Sequence, residues 1–322
     1  MRPNKFGFSI GKRADRGEDG GHMKTTAIAQ TPATPARTNR AIFDFAELIK
    51  ARLTLLVLVT TAVGYCLGVA GPVSYRALFH VVFGTALAAA GASALNQWWE
   101  HRLDALMQRT RTRPIPAGRM RPRDALVVGS LLAFAGVIYL AFFCNWLSAS
   151  LAALTVIIYI FAYTPLKSIS TANTIVGAIP GALPPMIGWA GACGTVDMGA
   201  WSLFAIIFLW QLPHFFAIAW MYRDDYARAG FQMISGDDRT GERSASQSVF
   251  FSILLLIIAG GPGFLGMTTV IYLPIELALG GIFIGVAMRF LRSRALADAR
   301  LLFITSIIYL PLLLGALVVT KR

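Results

Sequence analysis

Long apolar runs alternate with shorter polar ones from about residue 53 to residue 319. Nine runs approach the roughly 20 residues that an α-helix needs to cross a hydrocarbon core about 30 Å thick. They lie near 53–71, 77–95, 125–143, 146–163, 173–190, 201–221, 249–268, 271–290 and 301–319. The pattern predicts an all-α polytopic membrane protein of nine transmembrane helices. Ahead of the first run, IFDFAELIKAR (42–52) puts Ile42, Phe45, Leu48 and Ile49 on one helical face and Asp44, Glu47 and Lys50 away from it. That spacing predicts an amphipathic helix lying along the membrane interface. Residues 1–41 have no apolar period and are rich in Gly, Thr, Pro and mixed charge, so they read as a disordered basic tail before a helical domain over 42–322. The tail lacks the apolar core of a signal peptide, Asp15, Glu18 and Asp19 break the acid-poor pattern of a mitochondrial transit peptide, and Met23 is an alternative start.

Composition agrees with the periodicity: 56% of the residues are hydrophobic and 14% charged, outside the usual range of soluble domains. The net charge of +13 is a matter of topology. With the N-terminus inside, only Arg76, Lys321 and Arg322 of the 29 Lys and Arg fall on the outer side. This places the N-terminus and the two long polar loops, 100–124 and 222–248, in the cytoplasm and argues against a nucleic-acid partner. Cys66, Cys144 and Cys193 all fall near the outer side, where a disulfide is chemically allowed, and no CxxC metal spacing occurs.

The second run continues into NQWWEHRLDALMQRTRTRPIPAGR (96–119). On a helix Asn96, Glu100 and Asp104 stand one turn apart on one face. Like charges at that spacing repel, and a shared hard cation such as Mg²⁺, which prefers oxygen ligands, resolves the repulsion. Arg109, Arg111, Arg113 and Arg119 follow, with guanidinium forks suited to diphosphate oxygens. A second acidic group, Asp224 and Asp225, ends the sixth run on the same side, with His214 inside that run. Two acidic helix ends flanking a diphosphate would neutralise it as a leaving group. Taken singly, each acid or arginine is equally an ordinary interface residue. Asp237 and Asp238 read as solvated loop residues. In 163–191, Gly177 and Gly181 allow close helix contact, and Pro180, Pro184 and Pro185 kink the fifth span. Lys167 is the sole cation of its short loop and is expected to point at phosphate. Trp98, Trp99, Phe215 and Phe216 are candidate pocket walls or lipid-facing packing. Glu276, near the outer end of the eighth run, reads as a residue that snorkels or pairs.

From about residue 42 to 319 the chain resembles the UbiA superfamily of intramembrane aromatic prenyltransferases. The features that carry this are NxxxExxxD followed by RTRTRPIPAGR, YTPLKSISTANTIVGAIPGALPPMIGWAG (163–191), WQLPHF and DDYARAGFQM. Within that superfamily it looks most like the members that farnesylate haem. The resemblance implies a nine-helix bundle around a central cavity, with Asn96, Glu100 and Asp104 as the first metal and diphosphate motif. It implies Arg113 and Lys167, with Arg109, Arg119 and Tyr163 beside them, as substrate-binding residues. Glu100 stands where many members carry Asp. The second motif departs from the family DxxxD, since position 221 is Met, and leaves Asp224 and Asp225 as catalytic candidates with Asp225 as the metal ligand. The implied cofactor is Mg²⁺, and the implied substrates are farnesyl diphosphate and haem b. His214, in an apolar run, reads either as a buried histidine hydrogen-bonded to a neighbouring helix or as a contact to the haem, as axial ligand or in positioning the vinyl group. The implied setting is a bacterial cytoplasmic membrane, with a haem A synthase or a terminal oxidase as assembly partners. Prenylation of another aromatic or quinone precursor is the nearest rival. A secondary transporter is the rival from another class, although no inverted repeat is visible and the acids cluster at helix ends instead of the midplane.

Overall fold

The computed structural model describes residues 37–322. The expectations for residues 1–36, including Met23, lie outside the described residues. An amphipathic helix α1 (Arg37–Leu48) begins somewhat before the expected position and leads into the first span. Among the described residues nine helices are long and apolar enough to cross a membrane: α2 (Ala51–Gly68), α3 (Tyr75–Asp104), α4 (Pro122–Phe143), α5 (Trp146–Leu166), α6 (Asn173–Cys193), α7 (Met198–Met221), α9 (Glu242–Phe264), α10 (Tyr272–Ser293) and α11 (Leu296–Val319). A short helix α8 (Arg223–Arg228) follows α7. All nine predicted spans are present.

Side-chain caps mark several helix starts. Ser74, Asn145 and Asp197 accept from amides in the first turns of α3, α5 and α7, satisfying donors that helix starts leave free. Asp238, expected in solvent, is buried, and accepts from Ser244 N at 2.7 Å at the start of α9. The expectation for Asp238 is corrected by this capping role, while Asp237 is exposed.

Small residues set the closest helix pairs, as expected where lipid supplies no hydrophobic drive and association rests on packing. A Cβ on Gly188 of α6 would lie 1.9 Å from the Thr61 carbonyl oxygen of α2, and one on Gly91 of α3 would lie 2.3 Å from the Ala133 amide nitrogen of α4. Gly177 and Gly181 act differently from the expected helix-to-helix approach. They make room for neighbouring side chains, the Tyr163 ring and the Gln211 amide. The prolines interrupt α6 as predicted, the helix breaking at Leu183 between Ala182 and Pro184. In α5 the segment Ile158–Tyr163 is π-helical, a distortion common at functional sites. Tyr159 and Tyr163 are neighbours within it, with centroids 5.4 Å apart.

The sequence leaves a disulfide and the surroundings of Glu276 open. The three cysteines are all free, so no disulfide forms among the described residues. Glu276 does not snorkel: it is 1% exposed, and its Oε1 has no hydrogen-bond partner. His80 is structural, bonded through Nδ1 to the Tyr139 hydroxyl at 2.7 Å.

Candidate functional site

The apolar run and the polar motif after it are one helix. Asn96, Glu100 and Asp104 occupy the last turns of α3, and they are 0%, 4% and 2% exposed. Two carboxylates this deeply buried need partners. The Lys167 ammonium lies 2.7 Å from Glu100 Oε1, and Arg113 Nη1 lies 2.7 Å from Asp104 Oδ2. Asn96 Oδ1 accepts from Lys50 Nζ at 2.6 Å, while its Nδ2 donates to Thr164 Oγ1 at 3.0 Å. Each side chain of the motif thus has its own basic partner.

Different elements deliver these cations. Arg113 is returned to α3 by the turns of the 105–121 loop, where its amide donates to the Thr110 carbonyl and the Thr110 hydroxyl donates to the Asp104 carbonyl. Lys167 sits at the end of α5, over the Tyr163 ring at 4.5 Å. Burial pulls its pKa down, but Glu100, Tyr163 and Tyr159 more than reverse this and hold it above the ordinary lysine range. Lys50 joins α1 to α2 in the left-handed region, at φ 50° and ψ 54°. A non-glycine residue there carries a cost of about 1–2 kcal/mol. The conformation directs its ammonium to Asn96 and within 3.3 Å of the Tyr159 hydroxyl. Burial, with Arg113 and Lys167 adding to it and Glu100 and Asp104 opposing it, lowers its pKa to about 7. Periodicity assigns Lys50 only to the polar side of an interfacial helix. Its role depends on the helix break, which the residue pattern does not announce.

The second acidic group is divided. Asp225 is buried, and its carboxylate accepts from the Gln108 and Arg109 amides, each at 3.2 Å, and pairs with Arg228. Burial raises its pKa, and these donors more than offset that, leaving it below the ordinary carboxylate range. It pins the inner end of α7 to the loop after α3. Asp224 is not brought to the site: its side chain is 89% exposed and lies 3.5 Å from Arg223. Arg109 contributes its amide to Asp225 and stacks its guanidinium over Tyr222 and Tyr226. Arg119 turns away and binds Asp44 at 2.8 Å and Glu47 at 3.4 Å, fastening α1. The expected diphosphate roles of Asp224 and Arg119 are therefore corrected to an exposed pair and an anchor.

His214 lies within α7, about 10 Å by helical rise from the inner end at Met221. Glu100 and Asn96 lie about 6 and 12 Å from the C-terminal end of α3 by the same measure. Of the candidate walls, Phe216 is buried and Phe215 lies beside His214, with ring centroids 5.8 Å apart, while Trp99 is 43% exposed.

The donor set suits a hard divalent cation in kind: Asn96, Glu100 and Asp104 offer only oxygens, all buried and on one helix face. Among the described residues no group of three or more His, Cys, Asp or Glu is placed to hold an ion; this face offers two carboxylates, each paired with a cation, and the Asn96 amide oxygen. Asp225, committed to two amides and Arg228, is separate from that set.

Comparison with known proteins agrees with the fold. The model of the UbiA prenyltransferase family matches residues 57–310. The chain is 42% identical over 287 residues to a protoheme IX farnesyltransferase of Solibacter usitatus, covering 86% of this chain and 98% of that protein. It is 42% identical over 298 residues to one of Opitutus terrae, covering 91% and 98%. In fold it is similar to a structure described for digeranylgeranylglyceryl phosphate synthase (TM-score 0.73, 16% identity, 87% of this chain and 98% of that one). It is also similar to a UbiA homolog from Archaeoglobus fulgidus bound to GPP and Mg²⁺ (TM-score 0.65, 15% identity, 85% and 99%). With the family model spanning most of its length and relatives aligned almost end to end, the chain belongs to the UbiA prenyltransferase family.

Proposed function

We propose that this enzyme transfers a farnesyl group from farnesyl diphosphate to a vinyl group of haem b, giving haem O and diphosphate. The observation that carries the reading is the buried Asn96–Glu100–Asp104 face with Lys50, Lys167 and Arg113 upon it. Such a set exchanges partners without leaving an unpaired charge. Asn96, Glu100 and Asp104 would hold Mg²⁺, and the ion supplies Lewis-acid stabilisation of the departing diphosphate when bound. Lys167 and Arg113, released from the carboxylates, and Lys50, released from Asn96, bind the diphosphate oxygens, and Tyr163 flanks Lys167. Asp225 keeps the arginine loop beside the cluster, with Arg109 at its edge. The haem acceptor is supported by the names of the relatives and by the end-to-end alignment with them.

In chemical terms the allylic C–O bond breaks with its electron pair on diphosphate, and the vinyl π pair forms the new C–C bond. Water then adds at the carbon next to the porphyrin and loses a proton, leaving a hydroxyethylfarnesyl group. Fixed positive charge at the diphosphate end and apolar walls beyond it favour ionisation and shield the cation from early capture by water. The positive-inside charge pattern supports a cytoplasmic position for this cluster at a bacterial inner membrane.

The test is mass spectrometry of haem extracted after incubating purified protein with haem b, farnesyl diphosphate and Mg²⁺, beside Asp104→Asn. Haem enlarged by the hydroxyethylfarnesyl group in wild type alone is expected. Unchanged haem from folded protein that binds the diphosphate would redirect the reading to another aromatic acceptor.

A further inference from the structure

One histidine edge is held by the fold and the other is left open. His214 Nδ1 lies 2.7 Å from Ser306 Oγ of α11, and that hydroxyl lies 2.6 Å from the Phe303 carbonyl oxygen. A carbonyl only accepts, so the single serine proton goes to Phe303, and Oγ is left to accept from the imidazole. The proton of His214 therefore sits on Nδ1, and Nε2 carries the lone pair. Among the described residues Nε2 has no hydrogen-bond partner, and it is not among the buried side-chain atoms sealed from contact. The imidazole stacks against Trp210, with centroids 5.4 Å apart, and against Phe303, 4.9 Å apart. Trp210 in turn donates its indole N–H to the Ser306 carbonyl at 2.8 Å, which locks α7 to α11 at this level. Two stacked rings and one bonded edge hold the imidazole, and the remaining edge presents a lone pair in apolar surroundings.

A neutral imidazole whose far nitrogen donates to an oxygen is the arrangement that metal-ligating histidines adopt. We propose that His214 binds the haem iron through Nε2, and that Ser306 is the positioning residue that holds His214 in the ligating tautomer. This rests on the haem reading above and adds the atom that recognises the acceptor. Ligation there would fix the porphyrin by its centre beside α7 and α11. The vinyl edge is then presented to the prenyl group instead of drifting in an apolar pocket.

The experiment is titration of haem b into the detergent-purified protein, followed by Soret absorption and resonance Raman spectroscopy, with farnesyl diphosphate affinity measured in parallel. Wild type should show an iron–imidazole signature. His214→Gly should lose it and regain it with added imidazole, and His214→Met should replace it with a thioether-type spectrum. Ser306→Ala should weaken haem affinity about 10-fold and shift the iron–imidazole stretch, with Ser306→Thr retaining both values. All these variants should bind farnesyl diphosphate as wild type does. Indistinguishable spectra for wild type, His214→Gly and His214→Met would overturn the ligation, and an unshifted stretch in Ser306→Ala would overturn the positioning role. Farnesylation of haem by a wild type lacking the signature sinks this inference alone. Ligation without farnesylation, in the presence of Mg²⁺ and farnesyl diphosphate, sinks the functional reading instead.

Discussion

Replacing Lys167 by Met keeps much of the volume and removes one charge of a buried pair. The pair is 2.7 Å long, with side chains 13% and 5% exposed, so solvent screens it little. Removing one partner strands the Glu100 carboxylate in the protein, which costs about 3–5 kcal/mol, against about 0–1 kcal/mol for a surface pair. Replacing both partners, in Lys167→Met with Glu100→Gln, removes the stranded charge. It should recover most of that loss, because a buried pair exchanged for neutral groups is often neutral in stability. The sign of the pH dependence follows from the raised lysine pKa: the contribution is complete below the ordinary lysine value of about 10.4 and disappears only as pH rises through the higher folded value. Between pH 6 and about 9 it should be flat. The assay is reversible unfolding of the ligand-free protein in mixed micelles for wild type, both single variants and the double variant. Titration of farnesyl diphosphate with Mg²⁺ is run on each. Stability should return in the double variant while diphosphate binding stays weak, since both the cation and a metal oxygen are gone. A Lys167→Met loss below about 1 kcal/mol, or a double variant no more stable than the single one, would refute a buried pair at this position.

Three further outcomes are expected. Asp225→Ala should free the Gln108 and Arg109 amides, lose about 1–3 kcal/mol and accelerate tryptic cleavage at Arg109 and Arg111, whereas Asp224→Ala should match wild type in both measurements. Gly188→Ala forces a methyl group against the Thr61 carbonyl and should lower the thermal midpoint sharply. Gly285→Ala, whose added methyl meets nothing within 4 Å, should leave it unchanged or raise it through a helix-propensity gain of up to about 1 kcal/mol. Glu276→Gln, which keeps the shape and discards an ionisable group with an unpartnered buried oxygen, should hold or raise stability and leave prenyl diphosphate affinity untouched, as checked by the same unfolding and titration assays.

The amino-acid sequence determined the features that depend on length, spacing and near neighbours. Nine apolar runs had to become nine spans, because backbone groups in lipid are satisfied only within a helix. A four-residue period had to place Asn96, Glu100 and Asp104 on one face once the second run was known to be helical. The proline cluster at 180–185 had to interrupt α6. Tertiary structure decided how charges are shared, because an ion pair depends on which elements meet and not on how far apart they lie in the chain. Lys50 and Lys167 reach residues 46 and 67 positions away, while Arg119, read in a basic loop as a diphosphate ligand, binds an α1 acid 75 positions distant. Asp224 and Asp225 are adjacent and alike in sequence. One turn of backbone sends the first to solvent and the second onto the Gln108 and Arg109 amides. The cysteines share a side of the membrane, but none forms a disulfide. His214 was visible as a polar residue in an apolar run. Its tautomer is set by a serine 92 residues later, a partner that only the packing of α11 against α7 supplies.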